Sequence, residues 1–159
     1  MQIAVIGAAE CSPEEAEAAG TIGHLIAGNR EVLCCGGRGG VMEAACRGAK
    51  ANGGLTVGVL PGTEDGNPYL DVHIRSNLGH ARNAVLVESA DAVIAVGGGY
   101  GTLSEIALAL KNRIPVFGYR TWEIEGVFSC QTSEEAVLMA VRAARLSPRS
   151  RSPPDAPAP

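Results

Sequence analysis

Short apolar runs alternate with longer stretches in which apolar residues recur every three to four positions. The runs at 3–6, 32–35, 55–60, 92–96 and 115–119 are rich in Val, Ile, Ala and Cys with few polar breaks. That is the pattern of strands buried on both faces. Between them lie helical patterns with recognisable ends. Ser12 and Glu15 form a capping box with Pro13 at the first helical position, and Gly28-Asn29 closes that helix. Val41, Ala44, Ala45, Gly48 and Ala49 share one face of a second helix, which Gly53-Gly54 ends. A third helix is predicted over about 79–89. A fourth puts Leu103, Ile106, Ala107 and Leu110 on one face. A last one, opened by Thr132 and Glu135 as a second capping box, presents Val137, Val141 and Ala144. Residues 72–74 predict a short edge strand. The order predicts an α/β fold: an open, mostly parallel Rossmann-like sheet with helices on both faces.

The pattern stops at Ser147. The remainder, SPRSRSPPDAPAP, has no apolar face, which predicts a disordered tail at 147–159 behind one domain at 1–146.

Composition sharpens three points. Glycine, 21 of 159 residues, is about twice its usual share of roughly 7% and shows no repeat period, so it serves tight turns and close backbone approach. The formal charge is −4. An acidic body without a basic stripe argues against a nucleic-acid partner. The five cysteines (Cys11, Cys34, Cys35, Cys46, Cys130) form no CxxC pair and no zinc spacing. They predict small buried thiols in a reducing cytosol and no metal site. The chain opens on a strand-like QIAVIG without a charged leader, and no apolar stretch approaches the roughly 20 residues that span a bilayer. The expectation is a cytoplasmic protein without membrane attachment.

Three predicted strands end in glycine-bearing turns, at Gly7, at 36–40 and at 97–101. In an open parallel sheet such turns emerge at the carboxyl edge, where ligands bind. Glycine tolerates positive φ and lacks the Cβ that would keep a phosphate from the backbone N–H groups. The following helix turns its unpaired N–H groups and positive dipole end to the same point. The run at 97–101 is the strongest candidate. Position 7 opens no G-x-G-x-x-G, and no G-x-x-x-x-G-K-[ST] is present, which disfavours ordinary NAD binding and P-loop hydrolysis. Arg82 falls in or near the first turn of a helix, where a cation opposes the dipole. It is either a solvated surface arginine or one that meets an anion at the strand edge. Glu105 lies on the rim of the same crevice, although the dipole alone favours a glutamate there. Glu88 and Asp91 read as solvated helix-end charges. Of the three histidines, only His80, beside Arg82, stands near the candidate site.

The stretch Gly98-Gly99-Tyr100-Gly101-Thr102-Leu103-Ser104-Glu105 resembles the G-G-x-G-T-x-x-E signature of the Lonely Guy (LOG) family. Gly36-Gly37-x-Gly39-Gly40-Val41-Met42 and the Arg82 segment support the match, which covers about residues 1–146. The resemblance implies a nucleotide-monophosphate-type pocket in a homodimer or larger homo-oligomer. LOG enzymes cleave the N-glycosidic bond of nucleoside 5′-monophosphates, releasing a base and ribose 5-phosphate. Carried over by position, Gly98, Gly99, Gly101 and Thr102 would hold phosphate, Glu105 the ribose, and Arg82 would assist. Gly7, Gly36, Gly37 and Asn83 complete the expected ligand-binding set.

This chain departs from the enzymes at Gly97, where they usually have proline. It also has Ala81 and Asn83 in place of a glutamate and a lysine. The short A-R-N form, followed by Ala90-Asp91-Ala92-Val93-Ile94, is more similar to the branch of molybdenum cofactor carrier proteins, whose ligand is a pterin bearing a phosphate. The leading expectation is a binding or carrier protein for a phosphate-bearing heterocycle, the molybdenum cofactor or a nucleotide, with no resident cofactor required. The alternatives are a nucleoside 5′-monophosphate phosphoribohydrolase using Arg82 and Glu105, and a nucleotide-sensing interaction module.

Overall fold

Residue alternation along the central strands sets the architecture. In β1 (Gln2–Gly7), Ile3 and Val5 point to one face of the sheet and Ala4 and Ile6 to the other, and each set joins its own core. The structure, a computed structural model, describes residues 1–146; the tail expected at 147–159 lies outside the described residues. Its further elements are α1 (Pro13–Gly28), β2 (Val32–Cys35), α2 (Val41–Ala51), β3 (Thr56–Leu60), β4 (Val72–Arg75), α3 (Arg82–Glu88), β5 (Ala92–Val96), α4 (Tyr100–Lys111), β6 (Val116–Tyr119), β7 (Val127–Ser129) and α5 (Ser133–Leu146). A single 3₁₀ turn, Gly79–Ala81, precedes α3 where a continuous helix is expected from sequence.

The seven strands pair in the order β4-β3-β2-β1-β5-β6-β7, all parallel. Helices α1, α2 and α5 pack on the Ile3/Val5 face and α3 and α4 on the Ala4/Ile6 face. The order reverses between β1 and β5, so their carboxyl ends flank the crevice in which open α/β sheets bind ligands.

The capping box predicted at Ser12 forms in full; at Thr132 only its first half does, since the Glu135 carboxylate accepts from the Gln131 N–H. The Ser12 side chain accepts from the Glu15 N–H while Glu15 accepts from the Ser12 N–H, and Thr132 and Glu135 repeat the start of this at α5. Helices α1 and α2 touch backbone to backbone. A Cβ on Gly23 would lie 1.9 Å from the Ala45 carbonyl oxygen, so only glycine permits this approach.

Two expectations are corrected. The buried face of α4 is Thr102, Glu105, Ile106 and Ala109. Ala107 points to solvent. The apolar pattern misplaces the stripe because two of its buried positions are polar. Strand β7 is also unforeseen. Parallel neighbours ordinarily need a crossover of about a dozen residues or more, yet only 120–126 separate β6 from β7. The segment runs back across the sheet with Ile124 in place of a helix, packed into the α3/α4-side core.

Candidate functional site

The turn after β5 carries the site. Gly97 (φ +52°) and Gly98 (φ +104°) take left-handed backbone that brings the chain round into α4. A Cβ on Gly97 would also strike the Glu15 carboxylate, and proline, locked near φ −65°, is excluded from this position. Thr121 Oγ1 donates to the Gly97 carbonyl at 2.6 Å and ties the β6–β7 segment to the turn.

Gly99 caps α4 without a side-chain hydrogen bond. The N–H groups of Tyr100, Gly101 and Thr102 find no acceptor among the described residues. A Cβ at Gly99 or Gly101 would meet nothing within 4 Å. The start of α4 therefore presents free N–H donors and its positive dipole end to open space.

Behind it, three buried polar side chains converge. Thr102 and Glu105, one turn apart, share the inner face of α4 and are 2% and 6% exposed. Arg82, the first residue of α3, is 8% exposed and stands 3.8 Å from the Glu105 carboxylate. The solvated reading of Arg82 is overturned, because α3 lies against α4 and directs the guanidinium inward. Among the described residues, Arg82 Nη1 and Thr102 Oγ1 are the buried side-chain polar atoms without a hydrogen-bond partner. Burial pushes the Glu105 carboxyl up to about 7 even though the Arg82 charge holds it down. Desolvation likewise lowers Arg82.

The remaining predicted residues divide. Gly36 belongs to the site, since a Cβ there would sit 2.3 Å from Arg82 Nη1; its bare backbone is the floor on which the guanidinium rests. Gly37 leaves room for Leu60, and its N–H donates to Cys35 Sγ at 3.3 Å. Gly7 is filled by Val41 and the Val96 carbonyl. Asn83 is buried and donates to Ser104 Oγ at 3.2 Å, which in turn donates to the Gly101 carbonyl; it braces α3 against α4. His80 is exposed. Asp91 accepts from the Gln2 N–H at 2.8 Å, so it pins β1 instead of standing free.

Two features escape sequence reading. The thiols of Cys35 and Cys46 lie 3.5 Å apart beneath the 36–40 turn. Cys46 hydrogen-bonds Cys35 and lowers its pKa, while its own is raised. The Tyr100 and Trp122 rings form an exposed pair, centroids 6.1 Å apart, beside the β5 turn. The signal available for the second was a lone tryptophan just beyond a strand's carboxyl end. Among the described residues, no cluster of His, Cys, Asp or Glu is arranged to hold a metal ion, and no helix is long and apolar enough to cross a membrane.

Comparison with known proteins places this geometry. A protein of Archaeoglobus fulgidus described as uncharacterized is 51% identical over 139 residues, covering 86% of this chain and 92% of its own. A cytokinin riboside 5′-monophosphate phosphoribohydrolase of Mycobacterium marinum is 36% identical over 104 residues, 62% of this chain and 56% of the enzyme. The structure of the molybdenum cofactor binding protein of Rippkaea orientalis superposes with a TM-score of 0.84 at 38% identity, covering 89% of this chain and 95% of that one. The molybdenum cofactor carrier protein of Chlamydomonas reinhardtii gives 0.83 at 33% identity, covering 92% and 99%. The SLOG cluster4 family matches residues 1–146, and the chain belongs to that family.

Proposed function

We propose that the protein binds and carries a small ligand in which a planar heterocycle bears a phosphate, with the molybdenum cofactor as the specific candidate. The supporting observation is the pair of buried polar atoms without partners, Arg82 Nη1 and Thr102 Oγ1, behind the open start of α4. Leaving a buried donor unpaired costs about 1–3 kcal/mol, and burying an ion several more. A carboxylate 3.8 Å away does not close that deficit for the guanidinium. A phosphate on the free N–H groups of α4 would accept from Thr102 and Arg82 and complete both. The cargo of the Rippkaea and Chlamydomonas relatives meets this requirement. On this reading the protein is a cytoplasmic homodimer or larger homo-oligomer, its partner is the ligand itself, and no resident cofactor is needed.

A phosphoribohydrolase is the second reading. It is favoured by the likeness to the Mycobacterium marinum enzyme and by Glu105, whose carboxyl titrates near 7, where a general acid or base works best. Against it, Ala81 is an exposed methyl and the Asn83 amide is committed to Ser104. Arg82 is then left as the cation of its segment. Cleavage must stabilise a cation-like sugar and also help the base depart, and one Glu105 cannot be both the ionised stabiliser of the first and the proton donor of the second.

Incubating purified protein with AMP separates the two. Calorimetry should show binding while chromatography shows no free adenine or ribose 5-phosphate. Robust turnover that vanishes in Arg82→Ala and Glu105→Ala would install the hydrolase. Mass spectrometry of whatever co-purifies with the protein then identifies the cargo.

A further inference from the structure

We infer that Tyr100 and Trp122 form a stacking platform for the ligand's heterocycle, a subsite separate from the phosphate turn. The inference rests on the phosphate reading above. The chain has only two Phe, three Tyr and one Trp. Phe117 and Phe128 stack on each other. Phe128 is 52% exposed on the edge strand β7, whereas Tyr100, 83% exposed, and Trp122, 36% exposed, stand at the lip of the turn with their planes tilted by 33°. Large rings left in water beside a binding turn mark a surface awaiting a partner.

Their placement is set by structure close at hand. Tyr100 is the first residue of α4, immediately beyond its N-cap Gly99. Trp122 follows Thr121, whose hydroxyl is anchored on the Gly97 carbonyl. Both rings are therefore fixed to the two ends of the phosphate turn. Trp122 also lines a cleft of about 400 Å³ with Gly118, Thr121 and Ile124, room for a bicyclic ring. A ligand whose phosphate sits on α4 projects its ring system outward, toward these faces. Stacking is tolerant of ring identity, so the subsite takes purine and pterin systems alike.

The single tryptophan supplies the readout. Wild type is titrated with GMP and with ribose 5-phosphate, by calorimetry and by Trp122 fluorescence. We expect GMP to bind at least tenfold more tightly, and GMP but not ribose 5-phosphate to quench the fluorescence. Trp122→Ala and Tyr100→Ala should lose most of that advantage, Trp122→Phe should keep most of it, and ribose 5-phosphate should bind Trp122→Ala as it binds wild type. Stacking contributions of this kind correspond to roughly five- to hundredfold per ring. Equal wild-type affinity for the two ligands overturns the platform and leaves the phosphate site standing. So does a loss in Trp122→Ala that is the same for both. Absence of ribose 5-phosphate binding overturns the phosphate reading itself, and the platform with it.

Discussion

The turns at 36–40 and 97–101 read almost alike, G-G-R-G-G and G-G-G-Y-G, and both join a strand to a helix at the same edge of one sheet. Their surroundings are opposite. In the first, the protein itself occupies the space a side chain would take: the Arg82 guanidinium over Gly36, Leu60 over Gly37, and the Ala8 and Ala9 carbonyls against Gly40. The first N–H of α2, that of Val41, already donates to the Ala8 carbonyl. In the second, Gly99 and Gly101 face open space and the first N–H groups of α4 remain free. One turn seats a cation on its glycines; the other, filled by Glu15 at Gly97 and by Thr102 at Gly98, is open at Gly99 and Gly101, where the proposed anion would enter. Glycine-rich turns after parallel strands are thus not interchangeable signals.

The largest effect should come from filling the open turn. Gly99 has φ −104° and ψ −153°, extended backbone that any residue adopts, so Gly99→Val is tolerated by the fold. Its side chain takes the place of the phosphate, and sulfate or phosphate binding by calorimetry should disappear while the melting temperature holds. Undiminished affinity in the folded variant would remove the turn from the site.

Gly36→Ala probes the filled turn. The residue is not among those with positive φ, so its backbone accepts alanine. The added Cβ lands 2.3 Å from Arg82 Nη1 and 2.8 Å from Cζ. A guanidinium is the free end of a long side chain, so it moves and the chain does not. Stability should change by no more than about 1 kcal/mol, or a few degrees of melting temperature. Sulfate affinity should fall about ten- to hundredfold, the worth of one charged hydrogen bond. A thermal collapse with intact affinity in the surviving protein would make Gly36 a packing glycine like Gly7.

Much of this fold was legible because its signals are local. The runs that became β1, β2, β3, β5 and β6 and the helix caps at Ser12 and Thr132 depend on neighbours in sequence, and so does the chain of positions from Gly98 to Glu105. What was illegible depends on other elements. Nothing around residue 82 reveals that α3 packs its first turn against α4 and buries the arginine. The inner face of α4 carries Thr102 and Glu105, so a search for apolar periodicity rotates the helix toward Ala107. Strand β7 has three half-buried or exposed residues and a crossover too short for the usual βαβ rhythm. Whether a glycine is filled, as Gly7 is by Val41, or open, as Gly101 is, depends on residues far away in the chain.

Glu105→Gln tests the charge behind the open turn at a smaller scale. The folded carboxyl titrates near 7 against an ordinary 4.5, burial being the cause and Arg82 opposing it. Arg38 and Cys35 are the further groups acting on this pair. Between these two pH values the folded state keeps a proton that the unfolded chain has released. Stability therefore falls as pH rises through that window and levels off above 7. The total is on the order of 3 kcal/mol. Denaturant melts of wild type and Glu105→Gln from pH 4.5 to 8 should diverge by this amount, with the glutamine variant more stable at high pH. Sulfate, which does not titrate here, should also bind wild type more weakly above pH 7, where the carboxylate competes for Arg82, and bind the variant evenly. Parallel stability curves would show that burial leaves the Glu105 carboxyl at its ordinary value.

The smallest and most diagnostic change is Thr102→Val. The side chains have nearly the same shape, and valine and threonine have similar helix propensities, so packing within α4 is preserved. What disappears is a buried hydroxyl without a hydrogen-bond partner among the described residues. In a residue retained for stability, replacing the hydroxyl by a methyl would weaken the fold. Here it relieves a deficit of about 1–3 kcal/mol, part of which is lost to the imperfect fit of the methyl. Thr102→Val should therefore melt about 2–4 °C higher than wild type, near 1 kcal/mol. The same change removes a donor from the place where the proposed anion would sit. A neutral hydrogen bond contributes about 0.5–1.5 kcal/mol, so sulfate and phosphate should bind roughly three- to tenfold more weakly. Opposite signs in the two measurements are what a residue held ready for a ligand produces, since the unpaired group burdens the free protein and is relieved on binding. A variant that is less stable and binds as well as wild type would make Thr102 an ordinary core residue, and would deprive the start of α4 of one of the two observations that mark it as a phosphate site.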